Sequence, residues 1–133
     1  YIWRFDVKTE KLDTLTNIAV GEQIYTCSMD LDPVTERYLY YVPGAHGGII
    51  KEDVPIIQYD LKTGKHKILA FVGRYYKDNY GYEPDGTFST ALNDEGSILY
   101  ITWNGNRAER VPGKGWDTTA MMAVYIPMSE RLP

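Results

Sequence analysis

The chain has 133 residues, 44% hydrophobic and 24% charged, with a net charge of −4 at neutral pH. That balance argues for a folded domain over a disordered one, and the interspersed charges leave no basic stripe for a nucleic-acid groove. No apolar run of about 18 residues offers a membrane-spanning helix, and the single Cys27 excludes an internal disulfide framework.

Twelve tyrosines favour the half-buried surface of a sheet, and 12 Gly and 7 Pro break the chain at short intervals, as turn-rich β proteins require. Residues 1–15 open the chain and recur without a gap as residues 55–69, at an offset of 54. Phe5, Asp6, Val7, Lys8, Thr9 and Lys11 answer to Tyr59, Asp60, Leu61, Lys62, Thr63 and Lys65. Alternation puts Trp3, Phe5 and Val7 on one face, opposite Ile2, Arg4 and Asp6; the same rule groups Ile57, Tyr59 and Leu61. Each copy therefore predicts a hairpin. Its turn is tight, with Gly64 free to take positive φ and Asp60 placed to accept from nearby backbone. A second strand follows at 66–71.

A second pair of segments, residues 26–42 and 88–102, each reads as strand, polar turn, strand. Leu31 aligns with Leu92 and Tyr40 with Tyr100, and the one-residue difference in offset falls in the turn. Residues 121–132 are a degenerate copy of the first motif, with Ile126 and Pro127 where Asp and an aliphatic residue would stand. Pro127 cannot donate to a ladder, so this strand is expected to lie at an edge or to end early. Cys27, in a strand position, is expected to be a small buried hydrophobe.

With strands named a to d outward in each repeat, residues 1–20 read as c–d, 21–72 as a–b–c–d and 73–133 as a–b–c. The fold expected is all-β: a β-propeller fragment of four-stranded antiparallel blades, about two and a quarter of them, cut from a longer polypeptide. A β-sandwich would also alternate, but would not repeat one hairpin motif at fixed offset.

The motif of Phe5 to Lys11 and of Tyr59 to Lys65 resembles the c–d hairpin of TolB-like and related bacterial propellers. There an aromatic or aliphatic residue, Asp and a Thr-Gly-Lys turn recur once per blade. Asp94 to Ile101 looks like the companion a–b hairpin. The resemblance implies architecture and leaves activity open, since such propellers serve as enzymes, sensors and docking platforms alike.

Short turns at 32–37, 62–65 and 93–96 would emerge on one end of the blades, and long connections at 43–54, 73–86 and 104–119 on the other. Connections of that length are more often functional than merely linking. The second holds Arg74, Tyr75, Tyr76, Lys77, Tyr80 and Tyr82 beside three carboxylates; the third adds Arg107, Arg110, Lys114 and Trp116. Tyr and Trp supply rigid contact area with a polar handle, and Arg a fork for carboxylates. Arg74, Tyr75, Tyr76, Tyr80, Tyr82, Arg107 and Trp116 are therefore the candidate ligand-binding residues, although Trp116 is expected to be packed rather than presented. His46, flanked by Gly47 and Gly48, is the candidate general base; His66 reads as a rim residue. Asp78 and Asp85, in an acidic cluster with Asn79 and Glu83, are weak calcium candidates, because their spacing is not that of an EF-hand and such clusters usually make turns.

Two functions compete. One is a propeller scaffold whose Tyr/Arg-rich long-loop face binds a partner protein, a peptide or a carbohydrate. The other is a lyase or hydrolase acting on carbohydrate or a lactone, with His46 as base and Arg74 or Arg107 stabilising an anion at the same face. The first is favoured, because the acid–base residues form no recognisable pair. No cofactor is expected, and no nucleic-acid or membrane partner. Open inter-blade faces imply that the remaining blades are supplied by another chain, or that copies self-associate. The compartment is left open, with an extracellular or periplasmic setting the favoured one.

Overall fold

The computed structural model describes residues 1–17, 23, 25–44, 53–107 and 113–131. Its strands form three antiparallel meanders, so the all-β expectation holds. Sheet 1 pairs β1 (Ile2–Asp6) with β2 (Lys11–Thr16). Sheet 2 runs in order β3 (Met29–Leu31), β4 (Tyr38–Tyr41), β5 (Pro55–Asp60) and β6 (Lys65–Phe71). Sheet 3 joins β7 (Glu83–Leu92), β8 (Ile98–Asn106) and β9 (Thr118–Tyr125). No helix among the described residues is long and apolar enough to cross a membrane.

Turn chemistry closes both copies of the repeated hairpin in the same way. Asp60 Oδ1 accepts from Lys62 N (2.9 Å) and Oδ2 from Thr63 Oγ1 (2.8 Å), while Gly64 takes φ 70°. Asp6 Oδ1 accepts from Lys8 N and Thr9 N, both at 2.9 Å. Glu10 occupies the position equivalent to Gly64 and is driven into the left-handed region, φ 53°. Asp60 is further held by Arg37, whose Nε and Nη2 donate to its two oxygens at 2.9 and 2.8 Å. That fork holds the Asp60 carboxyl well below the usual carboxylate range.

The sheets stack face to face. Ile2 of β1 and Leu15 of β2 pack on Tyr41, Ile57 and Tyr59 of sheet 2. The opposite face of sheet 2, with Tyr38, Tyr40 and Ile56, packs on Leu99, Ile101, Trp103 and Met122 of sheet 3. The inner strands β4 and β5 of sheet 2 are therefore buried on both sides, and five of the six residues of β5 are buried. Each such Ile or Tyr removed from water contributes about 1.5–3 kcal/mol before conformational entropy is subtracted. Even Gln58 is buried there, donating through Nε2 to Tyr40 Oη (3.0 Å) and to the Glu130 carbonyl (2.8 Å). The first strands of sheets 2 and 3 approach closely, since Ser28 Oγ bonds Thr90 Oγ1 at 2.8 Å and accepts from Thr90 N at 3.0 Å.

Three local expectations change. Residues 73–86 are not an irregular connection: they carry helix α1 (Gly73–Tyr80) and the start of β7. Residues 104–119 are likewise shortened, because β8 continues to Asn106 and β9 begins at Thr118. Cys27 is exposed, not buried. The ladder starts only at Met29; ahead of it Thr26 Oγ1 donates to the carbonyls of Val42 (2.7 Å) and Ser28 (2.9 Å), and Gly44 N donates to the Tyr25 carbonyl at 2.6 Å. At the other end β9 stops at Tyr125, before Pro127, and a 3-10 turn (Met128–Glu130) carries the chain back toward sheet 2.

Candidate functional site at the loop end of sheets 2 and 3

Helix α1 is short, and its first residue position offers no side-chain cap. The missing acceptor comes from across the fold: Asp53 Oδ1 accepts from Arg74 N at 3.2 Å as well as from its own neighbour Val54 N at 2.6 Å. A carboxylate at a helix N-terminus satisfies an orphan donor and complements the helix dipole. The approach needs Gly73, where an added Cβ would lie 2.3 Å from Asp53 Oδ1. Gly81, at φ 62°, ends the helix in the left-handed conformation, and its N–H closes on the carbonyls of Lys77 and Tyr76.

Between this helix, the approach to β5 and the start of β7 lies a pocket of about 360 Å³. It is lined by Asp53, Arg74, Lys77, Asp78, Glu83 and Pro84 together with Val54 and Gly73. Lys77 Nζ and Glu83 Oε1 meet at 3.1 Å across its wall. Two cations and three carboxylates thus share one polar concavity.

On the outside of α1 the tyrosines form a cluster. Tyr75 sits edge-on to Tyr76, with centroids 5.5 Å apart, and meets Tyr80 at 6.1 Å. Tyr75 and Tyr80 are exposed, while Tyr76 leans on the core. The hydrogen bond to Tyr80 raises the pKa of Tyr75, and burial raises that of Tyr76, so both are phenols near neutral pH.

A second polar group lies where β7 and β8 begin and end. Tyr82 is buried over Gly105, where any Cβ would lie 2.8 Å from its hydroxyl. Burial, reinforced by Asp117 and Asp85, pushes its pKa up to about 12. Asp85 is fully buried, and its Oδ2 accepts from Trp116 Nε1 at 2.8 Å. Trp116 is half-buried and meets Phe88 edge-on at 6.2 Å. Asp117 Oδ1 accepts from Arg107 N at 3.0 Å, which pins the end of the β8–β9 connection.

The candidates from sequence therefore separate. Arg74 and Asp78 line the pocket, while Tyr75 and Tyr80, on the same helix, cluster with Tyr76 outside its lining. Tyr76 and Tyr82 are packed, Trp116 braces Asp85, and the Arg107 backbone serves the adjacent loop. Asp78 and Asp85 do not share a site; among the described residues no group of three or more His, Cys, Asp or Glu side chains is arranged to hold a metal ion. His46, with Gly47 and Gly48, lies outside the described residues, and so does Arg110. His66 is on the exposed rim, its ring 4.9 Å from that of Tyr59, and partial burial lowers its pKa.

Asp53 was not marked in the sequence, and Lys77 and Glu83 were noted only as charged residues of the 73–86 connection, not as a pair. Gly81 after Tyr80 was the available signal for a helix end, from which the pairing of Lys77 with the incoming strand could have been anticipated. Nothing local marks Asp53, because its partner is 21 residues away. No protein-family model, curated protein or solved structure matches this chain.

Proposed function

We propose that the three sheets are successive blades of a propeller-type stack and that the stack is a scaffold whose loop end binds a peptide segment of a partner protein. The blade reading is supported by the repeated hairpin motif, by the face-to-face packing of meander sheets, and by the Ser28–Thr90 link between the first strands of sheets 2 and 3. The likeness to TolB-like hairpins rests on those motifs alone.

The observation that carries the binding reading is the pairing of two exposed tyrosines with a charged pocket on one short helix. Tyr75 and Tyr80 are large, amphipathic and held by each other, so little side-chain entropy remains to be lost on contact. On the pocket side of the same helix, Arg74, Lys77, Asp78 and Glu83 present both signs of charge within one concavity, which suits a peptide carrying charged side chains of both kinds.

A displayed random-peptide library panned on the protein, followed by calorimetry, tests this. Selected peptides are expected to lose roughly tenfold or more in affinity, a hot-spot-sized effect, when Tyr75 and Tyr80 are both changed to alanine. Arg74→Glu is expected to weaken the acidic members of the set selectively. Failure to select any peptide, or peptides indifferent to both variants, would overturn the reading. A glycan array run in parallel reports whether carbohydrate is the ligand instead.

A further inference from the structure

Two phenols that meet in solvent are an oxidation site as well as a contact surface. A one-electron oxidant turns a tyrosine into a radical whose unpaired spin lies partly on the two ring carbons beside the oxygen. Two such rings couple when those carbons can touch. Tyr75 and Tyr80 meet that condition. They are 55% and 67% exposed, so an oxidant reaches both. Their ring centroids are 6.1 Å apart, with the planes inclined at 66°. Tyr80 acts on the Tyr75 hydroxyl through a hydrogen bond, which turns the two phenol oxygens, and with them the neighbouring ring carbons, toward each other.

Tyr76 shares the cluster, its ring 5.5 Å from that of Tyr80 and inclined at 33°. It is nevertheless the poorer partner. Its side chain packs against the core, and drawing it out to form a bond would give up that burial. Tyr80 has no such tie: it is the last residue of α1, exposed, and followed by left-handed Gly81. The core tyrosines, Tyr40 and Tyr59 among them, are out of an oxidant's reach. Tyr1, Tyr100 and Tyr125 are exposed, but among the described residues no ring contact joins any of them to another tyrosine.

We propose that Tyr75 and Tyr80 are a dityrosine site, coupled within one chain by a haem peroxidase that uses hydrogen peroxide as oxidant. Each tyrosine gives one electron to the peroxidase and its phenolic proton to water. The two radicals join through one carbon–carbon bond between ring positions beside the oxygens, and the ring hydrogens displaced there restore the two hydroxyls. In sum two C–H bonds break and one C–C bond forms, while two electrons and two protons reduce one hydrogen peroxide to two waters. The product is a biphenol whose hydroxyls flank the new bond, as the hydrogen-bonded phenols already lie. It links residues 75 and 80 across the C-terminal turn of α1 and fixes the two rings on each other. The inference stands on the geometry of two side chains and not on the peptide reading of the loop end.

Treating the chain with a haem peroxidase and limiting hydrogen peroxide tests it. At about 1 µM protein, two groups on one helix meet at an effective concentration in the millimolar range, roughly a thousandfold above that of other copies. The wild-type chain is expected to keep the mass of one protomer less two hydrogen atoms and to gain blue dityrosine fluorescence. Trypsin cuts after Arg74 and Lys77, so the bond should hold the tripeptide 75–77 to the fragment 78–107. Tyr75→Phe and Tyr80→Phe each remove one exposed hydroxyl, so both variants should fold, as checked by circular dichroism. Each should lower the yield of the bond roughly tenfold or more, because only encounters between copies and the packed Tyr76 remain. Tyr76→Phe should keep most of the yield. A wild-type chain that gains no such bond overturns the proposal. So does a bond that survives in Tyr75→Phe or Tyr80→Phe, and so does its loss in Tyr76→Phe. Oxygen added at methionine or at Cys27 raises the mass instead and is counted apart. Peptide binding is read separately by calorimetry on the untreated chain.

Discussion

The hairpins β1–β2 and β5–β6 share a turn motif and a strand alternation, yet strand β1 has an open side and strand β5 has none. In β5 the residues Ile57 and Tyr59 are sealed against sheet 1, and Ile56 and Gln58 against sheet 3. In β1 only Ile2 reaches a neighbour, while Trp3 and Phe5 face outward and Arg4 closes an exposed ion pair with Asp13 at 2.9 Å. The difference lies in position along the stack and not in the local chain. A hairpin of this kind has two faces to satisfy, and how many are satisfied depends on how many sheets stand beside it.

The largest break in this comparison is expected from truncating the buried member of an equivalent pair. Ile57→Ala should cost about 3 kcal/mol, the sum of lost burial and an unfilled cavity. Trp3→Ala, in protein dilute enough to be a protomer, should cost less than about 1 kcal/mol, because the side chain is already in water. Urea unfolding of the two variants decides the matter; equal costs would mean that sheet 1 is covered within the protomer.

The two aspartates should separate next, through their acid limbs. The Arg37 fork holds Asp60 below the ordinary carboxylate range, and backbone donors, first Thr9 N, do the same for Asp6. A depressed folded value means that the stabilisation is complete above the unfolded pKa near 4 and is lost as pH falls toward the folded one. Asp60→Asn should therefore lower the urea midpoint at pH 7 and flatten its decline toward pH 3, and Asp6→Asn should do so less, since backbone donors rather than an arginine fork hold its carboxylate. Equal flattening would show that the turn amides, rather than Arg37, set the effect.

A smaller change, of opposite sign in the two copies, is expected at the turn. Glu10→Gly relieves a left-handed non-glycine residue and should stabilise by about 1 kcal/mol, whereas Gly64→Ala introduces that strain and should destabilise by a similar amount. Thermal melts of both suffice. The smallest effect belongs to Arg4→Ala, whose exposed ion pair should be worth a few tenths of a kcal/mol and should vanish in high salt.

Both hairpin motifs, their turns and the early end of β9 at Pro127 were legible in the sequence, because strand alternation and turn residues act over a few neighbours. Helix α1 was not. Its N-terminal cap is Asp53, far away in sequence, and its surface tyrosines are not strong helix formers. The start of β7 was hidden for a related reason. Pro84, Asp85 and Gly86 read as a turn, yet β7 is an edge strand of sheet 3, where a residue without an N–H and a register shift at Pro84/Gly86 are tolerated. At the loop end the sequence marked the tyrosines and arginines as a set, and packing sorted them: Tyr82 was buried against Gly105, Trp116 went to Asp85, Arg74 was left at the pocket, and Tyr75 and Tyr80 were left exposed against each other.

By itself the sequence determined the antiparallel hairpins, their turn geometry and which side chains share a face, since a period of two and a hydrogen-bonding aspartate need no distant partner. Only the tertiary structure decided which of those faces are covered, and that a carboxylate from before β5 would start a helix before β7. Burial and long-range capping are relations between segments far apart in the chain, and no local pattern carries them.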